Sequence, residues 1–134
     1  MPTITTPNTG IEICYEEAGD RANETILLIM GLGVQLTHWP VEFVDALVER
    51  GFHVVRFDNR DIGLSEKMGD AKPPHFSWQV LRARIWGKAK VPYSLEAMAD
   101  DAAGLLEALG IEKAHVAGAS MGGMITQLMA INHP

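Results

Sequence analysis

The chain has one cysteine, Cys14, among 134 residues, so no internal disulfide can form. A disulfide-stapled secreted scaffold is excluded, and a reducing cytoplasm is the expected setting. Positive charge is scarce as well: 11 Lys+Arg stand against 17 Asp+Glu, and the basic residues gather only loosely, around Arg82, Arg84, Lys88 and Lys90. A formal net charge of -6 offers no track for a phosphate backbone, and no nucleic acid is expected as a partner. Long apolar runs are missing. The strongest, Ile26 to Val34, is broken by Gly31 and Gly33 and falls short of the ~20 residues a bilayer span needs. It reads as a buried strand, and no membrane is expected as a partner. Met1-Pro2-Thr3-Ile4-Thr5-Thr6-Pro7 has neither the basic region nor the apolar stretch of an export signal. Internal repeats, low-complexity tracts and Gly/Ser/Pro-rich linkers are absent too, and the length leaves room for one domain at most.

Hydrophobic residues, by contrast, supply 47% of the chain, and their spacing changes along it. Alternation at Ile11, Ile13 and Tyr15, then the turn-like Gly19-Asp20-Arg21, predicts an early antiparallel hairpin leading into the next strand. Thr25 to Met30 is that strand, and its unbroken apolarity implies cover on both faces. After Gly31-Leu32-Gly33, Pro40 suits the first turn of a helix with Phe43, Val44, Leu47 and Val48 on one face, closed by Gly51. Phe52 to Phe57 predicts another strand, ending at Asp58. Residues 59 to 93 are the least regular, although Trp78, Leu81, Ile85 and Trp86 recur at helical spacing and predict a short helix over the sheet. Ser94 is placed to cap a helix with Leu95, Met98, Ala102, Leu105 and Leu109 inward, ending at Gly110. Ile111 to Ala117 then predicts a strand, and Met121 to Ile131 a helix. Strand alternating with helix implies the α/β class: a three-layer sandwich with a mostly parallel, doubly wound sheet. Such sheets take ligands at the carboxyl ends of their strands, here Gly31-Leu32, Asp58-Asn59 and Gly118-Ala119-Ser120.

The stretch Ala114 to Met124 carries the chemistry. It sets a G-x-S-x-G pentapeptide, Gly118 to Gly122, between a strand-like and a helix-like run, the context in which the pentapeptide forms a nucleophile elbow. A serine nucleophile has to stand on a strained turn above the sheet edge, where a Cβ at Gly118 or Gly122 would strike neighbouring backbone. Ser120 is the candidate nucleophile. Its base is harder to find. His133 is so far along a helix starting at the elbow that, at 1.5 Å per residue, about 20 Å separates them. His115 lies upstream on the strand, and His53 and His75 have no spacing that brings them near. His38, beside the Gly31-Leu32-Gly33 turn, is the one histidine placed to border the pocket, though a surface position at the helix entry suits it better. No triad can be assembled from this chain.

Three motifs now stand in order: Met30-Gly31-Leu32-Gly33 after the third strand, Arg56-Phe57-Asp58-Asn59-Arg60-Asp61-Ile62-Gly63-Leu64-Ser65 after the fourth, and the elbow after the fifth. In them, and over essentially its whole length, the chain resembles the N-terminal half of the α/β-hydrolase fold, close to the branch of serine esterases, cofactor-free haloperoxidases and aclacinomycin methylesterases. The resemblance implies Ser120 as nucleophile and the backbone N–H groups of Leu32 and Met121 as the oxyanion hole. It makes Asp58, Arg60 and Ser65 a structural turn beside the site. Many relatives have His where this chain has Met30, which removes a polar buttress from the oxyanion loop but not its N–H donor. The implied reaction is hydrolysis of a small-molecule carboxylic ester through an acyl-enzyme, with no cofactor and no metal. In the family the acid and the histidine follow the elbow, and nothing in this chain matches either position. The expectation is therefore a single partial domain over residues 1–134, comprising strands 1–5 and the elbow helix without the lid and later strands. That is a serine hydrolase by descent, truncated before its acid and histidine and inactive alone. The alternative is a non-catalytic half-domain. Absent later strands, Ile111 to Ala117 becomes an apolar edge, so the expected protein partner is a second copy, in a homo-oligomer, or a complementing C-terminal half. A serine at the elbow argues against the haloalkane dehalogenase and epoxide hydrolase branches, which use aspartate there.

Rival readings of single residues are blander. Gly31-Leu32-Gly33 lacks the third glycine of a dinucleotide fingerprint, its place being held by Leu36. The five histidines show no paired spacing suited to a metal. Met121, Met124 and Met129 read as core filler, Cys14 as an inert buried thiol, and Asp100-Asp101 as a solvated helix face.

Overall fold

Thr25–Ile29, an unbroken run of Thr, Ile and Leu, is an interior strand of a five-stranded sheet. The computed structural model describes residues 1–69 and 93–134. Its strands are β1 (Thr3–Thr5), β2 (Glu12–Ala18), β3 (Thr25–Ile29), β4 (His53–Phe57) and β5 (Ala114–Gly118), in the order β1-β2-β4-β3-β5. The interior strand β3 runs parallel to β4 on one side and to β5 on the other, with Leu27 level with both Val55 and Val116. β2 pairs antiparallel with β4, and β1 antiparallel with β2. The early hairpin thus forms between β1 and β2, but the strand after Gly19-Asp20-Arg21 does not lie beside β2, because β4 is between them. Burial explains the order. The apolar β3 and β4 take positions where both faces are covered, whereas β2, half-buried from Tyr15 onward, goes to the flank.

Helices cover both faces. Successive side chains of a strand point to opposite sides: Leu28 and Val54 meet α1 (Val41–Glu49) through Val44, Leu47 and Val48. Leu27, Ile29, Val55 and Phe57 face the other way, against α2 (Leu95–Ala108) and α3 (Met121–Asn132), which contribute Met98, Ala102, Leu105, Ile125 and Met129. Phe43, expected inward, is exposed and stacks on Trp39 with ring centroids 5.5 Å apart. The contact stripe of α1 runs through Val44, Leu47 and Val48, and the neighbouring position lies about 100° around the helix. The same logic corrects Met124. Met121, Ile125 and Met129 line the inward face at successive turns, while Met124 is exposed. Ser94 caps α2 as expected, its Oγ accepting from the Ala97 N–H at 3.3 Å.

β5 ends the sheet. Among the described residues it pairs only with β3, and His115 and Ala117 on it are exposed. The helix expected at Trp78, Leu81, Ile85 and Trp86, together with His75, Arg82, Arg84, Lys88 and Lys90, lies outside the described residues. No helix among the described residues is long and apolar enough to cross a membrane.

Candidate active site

The turn from β5 into α3 is held by close backbone contacts that only glycine permits. A Cβ on Gly118 would stand 2.2 Å from the Gly122 backbone, and one on Gly122 would stand 2.1 Å from the Ile29 carbonyl oxygen. The Ala119 N–H donates to Ile29 O at 3.0 Å, and the Gly122 N–H donates back to Ala119 O at 2.9 Å. Squeezed between these contacts, Ser120 adopts φ 54°, ψ -121°. Residues with a Cβ rarely accept that region unless surrounding structure holds them there. The strain is local and its product is an exposed serine side chain at the start of α3.

The loop after β3 lies directly against it. Gly31 is buried, and a Cβ there would come within 3.2 Å of Ser120 Cβ and 3.6 Å of its Oγ. The next residue, Leu32, exposes its side chain. Neither the Leu32 nor the Met121 N–H has a backbone acceptor among the described residues. The three positions singled out from the sequence, Leu32, Ser120 and Met121, thus belong to two adjoining turns at the carboxyl ends of β3 and β5, where an open α/β sheet takes its ligands.

The loop after β4 braces these turns. Asp58 is buried, and its carboxylate accepts from the Leu36 N–H at 2.7 Å and the Leu64 N–H at 3.2 Å, tying the β3 and β4 loops together. Ser65 Oγ donates to Asp58 O at 2.6 Å and accepts from the Cys14 N–H at 2.9 Å. The Asn59 side-chain amide donates to Met30 O at 3.1 Å, so a carboxamide supports the loop after β3 beside the methionine. Cys14 is fully buried, and burial, followed by the charge of Asp58, pushes its thiol up. These are bracing roles, as expected for Asp58 and Ser65.

Asp101 is the clear correction. It was expected on a solvated face, yet it is 2% exposed and grips Arg60, itself 7% exposed, through a forked pair of contacts at 2.6 and 2.7 Å. Thr9 Oγ1 donates to the same carboxylate at 2.6 Å. Asp100 next to it does face solvent and meets His133 Nε2 at 2.8 Å. The signal was present in the sequence: Met98, Asp101, Ala102 and Leu105 share one helical stripe, so Asp101 had to point inward with a partner. The Arg60 guanidinium also lies over the Tyr93 ring, 5.0 Å from its centroid. Burial, then a hydrogen bond to Asp61, pushes the Tyr93 phenol up to about 12, so it stays protonated at any ordinary pH.

The described histidines are engaged elsewhere or exposed. His53 is buried between Thr25 Oγ1 at 3.0 Å and Glu17 at 3.1 Å, and His115 meets Glu24 at 3.3 Å. His38 is exposed at the end of the short 3-10 turn Leu36–His38. Among the described residues, no three His, Cys, Asp or Glu side chains form a group able to hold a metal ion.

Comparison with known proteins places the fold. Rhodomycin D methylesterase DnrP of Streptomyces peucetius is 34% identical over the whole chain, which spans 39% of that protein. The enol-lactonase of Burkholderia xenovorans LB400 superposes with a TM-score of 0.74 at 30% identity, covering 98% of this chain and 42% of its own. Epoxide Hydrolase A of Mycobacterium thermoresistibile superposes equally well, with a TM-score of 0.74 at 25% identity, covering 99% of this chain and 35% of its own. Backbone likeness of that breadth carries the fold, while chemistry has to be read from side chains. The profile of the alpha/beta hydrolase fold family matches residues 24–134. With that match and the strained serine turn between β5 and α3, the chain belongs to the α/β-hydrolase fold family.

Proposed function

We propose that Ser120 is the nucleophile of a carboxylic ester hydrolase. One observation carries the proposal: a side-chain-bearing residue forced to φ 54° at the sheet's carboxyl edge is a serine, exposed, with Gly31 packed against it. Ser120 Oγ attacks the ester carbonyl and forms a C–O bond as its proton passes to a base. The N–H groups of Leu32 and Met121 donate to the developing oxyanion, each such donor being worth on the order of 10²–10³ in rate. The alcohol departs with the proton, and water attacks the acyl-enzyme to release the acid and restore the serine. The base is a histidine, oriented by an acid, and both are supplied from outside the described residues. The methylesterase and the enol-lactonase named above support the reading, since each breaks an ester bond, cyclic in the second case. The substrate class is a small-molecule carboxylic ester, with no metal and no cofactor taking part, and the single buried thiol suits a cytoplasmic setting.

The second reading, a half-domain that associates through its edge, is favoured by β5. Beside that strand runs an open groove of about 900 Å³ whose lining includes Leu106, Ile111, Val116 and Met129. An unpaired edge with apolar side chains next to it invites strand addition. A complementing C-terminal half seated there would bring the missing base, so the two readings are compatible.

Treatment of the purified chain with a fluorophosphonate probe, followed by intact-mass spectrometry on fractions resolved by size, tests both. The expected result is one adduct per chain, absent in Ser120→Ala and confined to an associated species. An adduct that survives in Ser120→Ala, or no adduct in any folded fraction even after a C-terminal half is supplied, rejects Ser120 as the nucleophile. Labelling of a strictly monomeric species rejects the need for a partner at β5.

A further inference from the structure

The chain carries seven methionines, and they divide by depth. Met98 and Met129 lie in the core at 4% exposure each, and Met30 and Met121 are half-buried. Met1, Met68 and Met124 are exposed, Met124 to 55%. The one thiol, Cys14, is fully buried. The sulfurs that a soluble oxidant reaches first are therefore the thioethers of these three exposed methionines.

Met124 differs from the other two in where it stands. It follows Ser120 by four residues, at the start of α3 (Met121–Asn132). Positions i and i+4 share one face of a helix, and a helical side chain leans toward the helix N-terminus, over the preceding turn. Ser120 is itself exposed, Gly122 and Gly123 add no side chain to that turn, and Met121 packs into the core. The Met124 thioether thus leans over the serine turn with nothing on the intervening residues to screen it. Met68 lies elsewhere. Its loop is tied to β2 through the Glu66 N–H, which donates to Glu12 O at 2.8 Å, and both β4 and β3 separate β2 from β5.

We propose that Met124 is a modification site, oxidised by hydroperoxides, and that its sulfoxide shuts down the chemistry of Ser120. The inference rests on the nucleophilic role proposed for that serine. In the oxidation the sulfur attacks the terminal peroxide oxygen: an S–O bond forms, the O–O bond breaks, and the sulfur gives up two electrons. The proton on the transferred oxygen passes to the departing one, which leaves as water or an alcohol. The product side chain is bulkier, strongly dipolar and a hydrogen-bond acceptor. Over the serine turn, its oxygen accepts the Ser120 O–H and so withholds that proton from the base, while the added bulk stands in the path to Oγ. A thiol-dependent methionine sulfoxide reductase reverses the change, two thiols becoming a disulfide as the oxygen leaves as water. The site is thereby switched in both directions.

The test is peptide mapping after graded hydrogen peroxide, with fluorophosphonate labelling of the same samples, on the chain and on Met124→Leu, a swap of similar volume. Sulfoxide is expected at Met124 ahead of Met98 and Met129, with labelling lost in step and restored by the reductase. Labelling should survive peroxide in Met124→Leu. A second readout, independent of labelling, is the backbone amide resonance of Ser120 in isotope-labelled protein, expected to shift on oxidation of the chain and to hold in Met124→Leu. Oxidation of Met124 no faster than of the buried methionines overturns the site, and labelling that survives its complete oxidation overturns the switch. Equal loss of labelling in both proteins also overturns it, by assigning the effect to Met30 or Met121. Failure of both proteins to label before peroxide rejects Ser120 as nucleophile. In that case an amide shift confined to the chain with Met124 keeps the modification at the turn, and the absence of a shift overturns that as well.

Discussion

Asp101→Ala should lower the unfolding free energy by about 3–5 kcal/mol, the range for removing one partner of a buried ion pair. The Arg60 guanidinium would remain 7% exposed with its forked acceptor gone, left with the Ala97 carbonyl at 3.3 Å. Burial of an unpaired charge, more than loss of the attraction, sets the size of the effect. Replacing both partners, Arg60→Met with Asp101→Leu, should therefore recover most of the loss, because a pair of apolar side chains carries no such penalty. Urea unfolding followed by far-UV circular dichroism measures both. A double variant as unstable as Asp101→Ala alone would mean that packing, not stranded charge, is at stake. A loss under about 1 kcal/mol in the single variant would mean that Arg60 reaches water despite its burial.

Gly122→Ala is the second large effect, expected to destabilise by about 3 kcal/mol, at the upper end for overpacking. The new Cβ meets backbone: Ile29 O at 2.1 Å and Met30 O at 2.9 Å. Those atoms belong to the end of β3 and its following loop, so relief requires α3 to withdraw from the sheet and the elbow to open with it. Gly123→Ala, one residue further, is the control. Its nearest neighbour would be Gly118 O at 3.4 Å, an ordinary contact, and alanine's higher helix propensity should make it neutral or more stable by up to about 1 kcal/mol. Thermal unfolding of the two variants in parallel settles the matter. Equal effects would rule out the close approach at Gly122 as the cause.

The two variants differ for a reason that bears on how this protein can be read. Gly122 and Gly123 are adjacent and chemically identical, and both lie in a helix. The pentapeptide pattern distinguished them because it encodes a contact made across the fold, between the first turn of α3 and the end of β3. The strands, the Ser94 cap, the inward stripe of α2 and, Phe43 excepted, that of α1 were legible for a simpler reason: apolar spacing and capping chemistry act within a few residues of sequence, so a local reading captures them. Asp101 was misread where a local rule competed with periodicity. Two adjacent aspartates look like a wet surface, but the stripe of Met98, Ala102 and Leu105 turned one of them inward, and only the β4 loop supplied the arginine that makes such burial tolerable.

By itself the sequence determined the alternation of strands and helices and the serine turn with its glycines. Tertiary structure alone decided two other things: that β4 separates β2 from β3, and that Asp101 pairs with Arg60. Each of these depends on which segments meet across the sheet, and that outcome follows from burying the most apolar strands at its centre, a property of the whole chain's competition for the core that no short stretch contains.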